Sequence, residues 1–116
     1  MKVTKEEFNK LKEDLSDFAQ IKILTPSMSP LIQINDIIKV QKISPEDLRP
    51  YDIIVFWQSD KLICHFFIKK VGDKYLARGL NNKEYDAEIA SEDILAKVIR
   101  PRVSNIKKFF LKYLLR

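Results

Sequence analysis

The sequence predicts a mainly β (α+β) protein: a coiled antiparallel sheet, with an amphipathic helix before it and a basic helix after it. Three observations carry that expectation. Runs of β-branched and aromatic residues recur at short, regular spacing over Ile21–Leu24, Asp36–Ile43, Tyr51–Trp57, Leu62–Val71, Lys74–Arg78 and Asp93–Ile99. Several links between them are short and carry turn residues, such as Asn35-Asp36, Ser59-Asp60 and Gly72-Asp73, a meander pattern and not the strand–helix alternation of a βαβ chain. Only the first and last stretches change to helical period. The 116 residues make a single domain, 1–116, with a helix over 4–20, a β core over 21–100 and a tail over 103–116.

At the start, Thr4 is placed to cap a helix, with Glu7 three residues on as in a capping box. Phe8, Leu11, Leu15 and Phe18 then form one apolar stripe, which packs on the domain or receives a partner helix. After the second strand, Ser44–Pro50 is a loop with one helical turn starting at Pro45.

Composition narrows the function classes. With 46% hydrophobic and 32% charged residues, this is the balance of a folded globular chain. One Cys excludes an internal disulfide and fits a reducing compartment. No apolar run approaches the roughly 18–20 residues that span a bilayer, and Met1–Glu7 lacks the apolar core of a secretory signal. A cytoplasmic protein, or one peripheral to the membrane, is the expectation. The net charge of +5 is spread over scattered Lys and Arg, without a helix-turn-helix or zinc pattern, so nucleic acid is not an expected partner. In the tail, Ile106, Phe109, Phe110, Tyr113 and Leu114 can share a helical face, with Lys107, Lys108, Lys112 and Arg116 around it. Such a helix either docks on the sheet or lies on an anionic membrane surface.

The chemistry gathers at Thr25–Val40. A Pro-flanked pair of serines, Pro26-Ser27-Met28-Ser29-Pro30, interrupts two apolar runs, so a hydroxyl can project from the end of a sheet. A serine hydroxyl needs a base to become a nucleophile, and the chain has one histidine, His65. In an apolar strand a lone His is more often structural. Strand alternation puts Ile63, His65 and Phe67 on one face and Leu62, Cys64 and Phe66 on the other, which argues against a Cys–His pair.

Ser27-Met28-Ser29-Pro30, followed by Asn35-Asp36-Ile37-Ile38-Lys39-Val40, resembles the Ser-Met-x-Pro nucleophile box of the signal peptidase I family, whose next landmark is Gly-Asp and an apolar strand. Tyr51-Asp52-Ile53-Ile54-Val55 resembles that family's Gly-Asp-Ile-Val box. Ile63-Cys64-His65 falls where its archaeal and endoplasmic-reticulum type has a catalytic His. Gly79-Leu80-Asn81-Asn82, with Asp86 downstream, resembles its Gly-Asp-Asn-Asn box and triad acid. The resemblance covers Leu24 to about Val98. It implies the coiled antiparallel sheet shared with the self-cleaving repressor domains, and a serine endopeptidase cutting a peptide or leader bound as an extended strand.

By the same resemblance Ser27 is the nucleophile, His65 the base and Asp86 the orienting acid, with Glu84 and Glu88 as weaker substitutes. Thr25, Met28 and Pro30 are implied at the oxyanion and substrate, and Ser29 only fills the variable position. No metal or organic cofactor is implied. The chain departs from the family at Asn35 and Tyr51, which replace Gly, at Pro26, at Phe66-Phe67 after the His, and at Leu80, which replaces an Asp. The last motivates a second expectation, a catalytically weakened peptide-binding module on the same fold. A third, self-cleavage with a Lys base, needs a lysine beside Ser27.

Overall fold

Seven strands in one antiparallel sheet form the body of the computed structural model, which describes residues 2–29 and 31–101. The strands are β1 (Phe18–Lys22), β2 (Ile37–Gln41), β3 (Ile53–Gln58), β4 (Lys61–Val71), β5 (Lys74–Arg78), β6 (Ile89–Ala90) and β7 (Ile94–Arg100). Their order across the sheet is β1-β2-β7-β3-β4-β5-β6. The last strand lies between β2 and β3, so the hairpin-like pair β1–β2 and the meander β3–β4–β5–β6 are joined through β7. The mainly β expectation holds. The predicted basic helix over 103–116 lies outside the described residues.

One helix, α1 (Lys5–Asp14), precedes the sheet. Thr4 Oγ1 accepts from the Glu7 N–H and Glu7 accepts from the Thr4 N–H, the reciprocal box that the sequence announces. Phe8 is fully buried, its ring centroid 6.2 Å from that of Trp57. The helix is shorter than the expected 4–20. Leu15 is its extended C-cap, the Ser16 hydroxyl donates to the Phe18 carbonyl, and Phe18 already pairs with Gln41. Ser16 satisfies a backbone group locally just past the helix end, and sheet pairing takes Phe18 from the stripe.

The sheet buries a cluster on each face. One contains Phe8, Met28, Ile32, Ile38, Val40, Val55 and Phe66; the other contains Ile54, Phe56, Phe67, Tyr75 and Ile89. β3 is buried on both faces from Ile53 to Phe56, because it has covered neighbours on either side. Register shifts at Lys39/Val40, Val55/Phe56 and Phe67/Lys69 mark bulges, which bend strands and increase their twist. At the β3–β4 hairpin, Ser59 and Asp60 both have positive φ (51° and 61°), the backbone of a two-residue turn matched to strand twist.

Two turns share one construction. In Gln33–Asp36 the Asp36 N–H donates to the Gln33 carbonyl, and the Asp36 carboxylate accepts from the Gln33 N–H at 2.8 Å. In Arg49–Asp52 the Asp52 N–H donates to the Arg49 carbonyl, and the Asp52 carboxylate accepts from the Arg49 N–H, again at 2.8 Å. The third residue of each turn is left-handed, Asn35 at φ 74° and Tyr51 at φ 69°. Left-handed backbone is the conformation glycine adopts freely, and Pro50 suits the second position of such a turn.

Each turn then clamps one strand by two hydrogen bonds. Asn35 N–H donates to the Ile23 carbonyl and Ile23 N–H to the Asp36 carbonyl; Tyr51 N–H donates to the Phe67 carbonyl and Phe67 N–H to the Asp52 carbonyl. Ile23 lies four residues before Ser27, and Phe67 two residues after His65. The twin turns therefore fix the two backbones that carry the serine and the histidine.

Candidate active site

Ser27 sits in a tight turn that follows β1. Pro26 cannot extend the β1–β2 ladder, and the Ser29 N–H closes the turn on the Pro26 carbonyl at 2.9 Å. The Met28 side chain anchors the turn: it is 2% exposed, inside the main core cluster. Met28 was expected at the substrate, but its thioether is an apolar group that packs inward and also accepts from the Leu80 N–H at 3.4 Å. Pro30 lies outside the described residues. Thr25 is exposed, its hydroxyl 3.4 Å from Ser27 Oγ.

His65 lies in the middle of β4, opposite Ile54 of β3, and is 5% exposed. Its ring stands edge-on to Phe56, with centroids 6.1 Å apart. One imidazole nitrogen, Nε2, is 3.0 Å from Ser27 Oγ, and the other, Nδ1, is 2.5 Å from Asp86 Oδ2. The structure thus brings Ser27, His65 and Asp86 into one hydrogen-bonded line. With Nδ1–H donating to the carboxylate, Nε2 is the lone-pair nitrogen facing the serine hydroxyl. Glu84 and Glu88 are exposed, and neither bonds to His65 among the described residues.

The loop after β5 delivers the acid. Asp86 N–H donates to the Ala77 carbonyl at 2.9 Å, which returns the loop to the end of β5. Gly79 sits under the imidazole: a Cβ there would lie 2.9 Å from His65 Nε2 and 2.8 Å from Asn82 Nδ2, closer than real contacts allow. Leu80, where the resemblance would place an Asp, is partly buried against the main core. Asn81 ties this loop to the serine turn. Its side-chain amide donates to the Pro26 and Ser29 carbonyls, and its backbone N–H to the Ser27 carbonyl, all at 2.9 Å.

A cleft of about 130 Å³ is lined at one end by Thr25, whose hydroxyl is 3.4 Å from Ser27 Oγ. One wall is Ile21–Thr25 and the other Lys61–Cys64, with Val55 and Val3 completing it. β5 pairs only with the later half of β4, from Phe66 on, so Lys61–Cys64 has a sheet edge not taken by β5. Cys64 is part of the wall, and burial pushes its thiol up to about 12. It is therefore a neutral thiol at ordinary pH and no competitor for the role of nucleophile.

Sequence reasoning missed that Val3 helps form this cleft. Lys2 bridges to Lys61, the Val3 N–H donates to the Asp60 carbonyl, and Trp57 Nε1 donates to the Val3 carbonyl, both at 2.7 Å. A two-residue strand carries no periodicity, and only the apolar Val3 between Lys2 and Thr4 hinted at it.

Compared with protein-family models and with curated proteins, the chain matches none. Among the described residues no helix is long and apolar enough to cross a membrane, and no group of three or more His, Cys, Asp or Glu could hold a metal ion.

Proposed function

We propose that this chain is a serine endopeptidase of the signal-peptidase-like class, in its Ser–His form, cutting a peptide or leader segment bound as an extended strand. The observation that carries the proposal is the line Ser27 Oγ, His65 Nε2, His65 Nδ1, Asp86 Oδ2, with separations of 3.0 and 2.5 Å. A buried imidazole has little reason to hold a carboxylate on one nitrogen and an isolated serine hydroxyl on the other unless proton transfer between them is useful. Independent support comes from Asn35 and Tyr51. Both stand where the resembled family has glycine, and both adopt the left-handed backbone that glycine would supply.

The chemistry follows from the geometry. His65 Nε2 takes the proton of Ser27 as Oγ attacks the scissile carbonyl carbon, and Asp86 stabilises the imidazolium through Nδ1–H. The carbonyl oxygen becomes an oxyanion facing the Ser27 N–H and the Thr25 hydroxyl. The imidazolium then protonates the leaving amine as the C–N bond breaks, leaving an ester on Ser27. Water, deprotonated by the same imidazole, hydrolyses that ester and restores the serine. No step uses a lysine, and among the described residues Ser27 Oγ bonds only to Thr25 and His65. The leader-processing role, a place in the cytoplasm or at the membrane surface, and membrane contact by residues 103–116 belong to this reading as proposals.

Acylation by a fluorophosphonate probe tests it. Wild-type protein is expected to label, Ser27→Ala and His65→Ala to lose the label, and labelling to fall as pH is lowered, because the base form of the imidazole is required. A wild type that never labels overturns the peptidase and leaves the peptide-binding module, for which Leu80 in the acid loop is the motivating feature.

A further inference from the structure

The cleft that begins at Thr25, beside Ser27, has a built end. Both walls run toward the site: Ile21–Thr25 ends beside Ser27 and Lys61–Cys64 ends beside His65. Four residues separate Lys61 from His65, so an extended peptide has roughly 13 Å of wall to follow at about 3.3 Å per residue. At the far end Lys2 is bridged to Lys61, and the Val3 N–H donates to the Asp60 carbonyl, so the chain's own Lys2-Val3 segment lies where an incoming strand would otherwise continue. Its hold is firm, since the buried Val3 carbonyl also accepts from Trp57 Nε1.

The far end also differs in charge from the rest. Ile21, Ile23, Leu24 and Val55 make the cleft apolar. Lys22 and Lys61 line it, Lys2 adjoins Lys61, and all three are exposed. Among the described residues none of the three forms an ion pair. Lys2 and Lys61 also line a second depression with Ser59 and Asp60, the one carboxylate lining either hollow among the described residues. The depression therefore has two cations, Lys2 and Lys61, against one anion, and Lys22 adds a third cation from the lining of the adjoining apolar cleft.

We propose that this end is a specificity site for a carboxylate side chain, held by Lys2, Lys22 and Lys61 about four residues from the bond that is cut. The inference rests on the peptidase reading for the meaning of the cut bond, but its binding part stands apart from turnover. A peptide that fits places small or apolar residues along the cleft and an Asp or Glu where Lys2-Val3 stops it. A lysine there meets like charge, which costs affinity at low salt and less as salt screens it.

The test uses capped, fluorescein-labelled decapeptides with Ala and Ser at the eight central positions and either Glu or Lys at both ends. Fluorescence anisotropy follows their binding to Ser27→Ala protein, which does not consume them. The Glu peptide is expected to bind at least tenfold tighter than the Lys peptide in 50 mM salt, and the ratio to shrink in 500 mM salt. In a Lys22→Glu, Lys61→Glu variant the preference disappears or reverses. In a Lys10→Glu, Lys42→Glu variant, with the same net charge, it persists, which separates the cleft from the overall charge of the protein. Circular dichroism checks that both variants fold. Equal binding of the two peptides, or equal loss of the preference in both variants, overturns the inference. Fluorophosphonate labelling of wild type separates the two readings: labelled protein indifferent to Glu and Lys keeps the peptidase and loses the specificity site. Unlabelled protein that prefers Glu does the reverse.

Discussion

The serine half and the histidine half of the site are held by turns of the same design, yet they sit in different surroundings. The turn that clamps the serine's strand, Gln33–Asp36, is exposed at all four residues. The turn that clamps the histidine's strand, Arg49–Asp52, ends in a carboxylate that is 2% exposed, with Lys97 Nζ 3.4 Å away. Thr25 and Pro26 face solvent, whereas His65 is enclosed by Phe56, Asp86 and Gly79. The difference has a physical logic. On the proposed reading, a nucleophile must be approached and so needs an open setting, while a base must keep one tautomer and one orientation and so needs a closed one.

The sharpest way to probe the closed half is Asp86→Asn. An amide cannot accept and stabilise the imidazolium as a carboxylate does, and fluorophosphonate acylation is expected to fall by about 10³–10⁴-fold, with little change in thermal midpoint. Matching Glu84→Gln and Glu88→Gln variants should label within about twofold of wild type, as expected for surface carboxylates without a partner in the site. A loss in either of those two, with Asp86→Asn active, would reassign the acid.

The twin turns can be set directly against each other by denaturant unfolding. Asp52→Ala removes a buried charged acceptor and is expected to cost about 2–3 kcal/mol, whereas Asp36→Ala, in water, should cost about 1 kcal/mol or less. Equal costs would mean that the shared hydrogen-bond pattern, not burial, sets the stability of these turns.

Gly79→Ala adds a methyl group where His65 Nε2 and Asn82 Nδ2 leave no space. Acylation should drop about 10²-fold through displacement of the imidazole, while Ser29→Ala on the open side changes it by less than about threefold. The smallest effect concerns Cys64. Its thiol is held near 12 by burial, so iodoacetamide at pH 8 should neither modify it appreciably nor reduce serine labelling. Reactivity should climb only as pH approaches that value, because the thiolate is the reacting form.

These contrasts also mark what the amino-acid order discloses. The strands from β2 to β5 and β7 are readable from β-branched runs and turn residues, whereas Ser27, His65 and Asp86 are singled out together only by the resemblance to the signal peptidase I motifs. The bulges at Val40, Val55 and Phe67 are not readable, because a bulge is an extra residue with no compositional mark. Met28 shows the same limit at one side chain. Motif position put it near the substrate, but the interior claimed it because a thioether gains more from apolar contacts than from water. The far end of α1 failed for a different reason. Leu15 and Phe18 fit a helical stripe, yet Phe18 pairs with Gln41 and its ring lies under the Lys39 ammonium, 5.0 Å from the centroid. Long-range pairing overrode local period. β6, with two residues, is too short to have a pattern at all.

Asn81 leaves its own signature on how such a site lives and dies. Through three hydrogen bonds it joins the carbonyls of Pro26, Ser27 and Ser29 to the loop that carries the acid. Opening either loop therefore breaks bonds that the other also needs. Thermal fluctuations that open one loop draw the second with it, so Ser27 and Asp86 belong to one cooperative unit instead of two independently fraying segments. Heated gradually, molecules would hold either both loops or neither, and the share of intact sites would decline by head count rather than by a slow loosening of each copy.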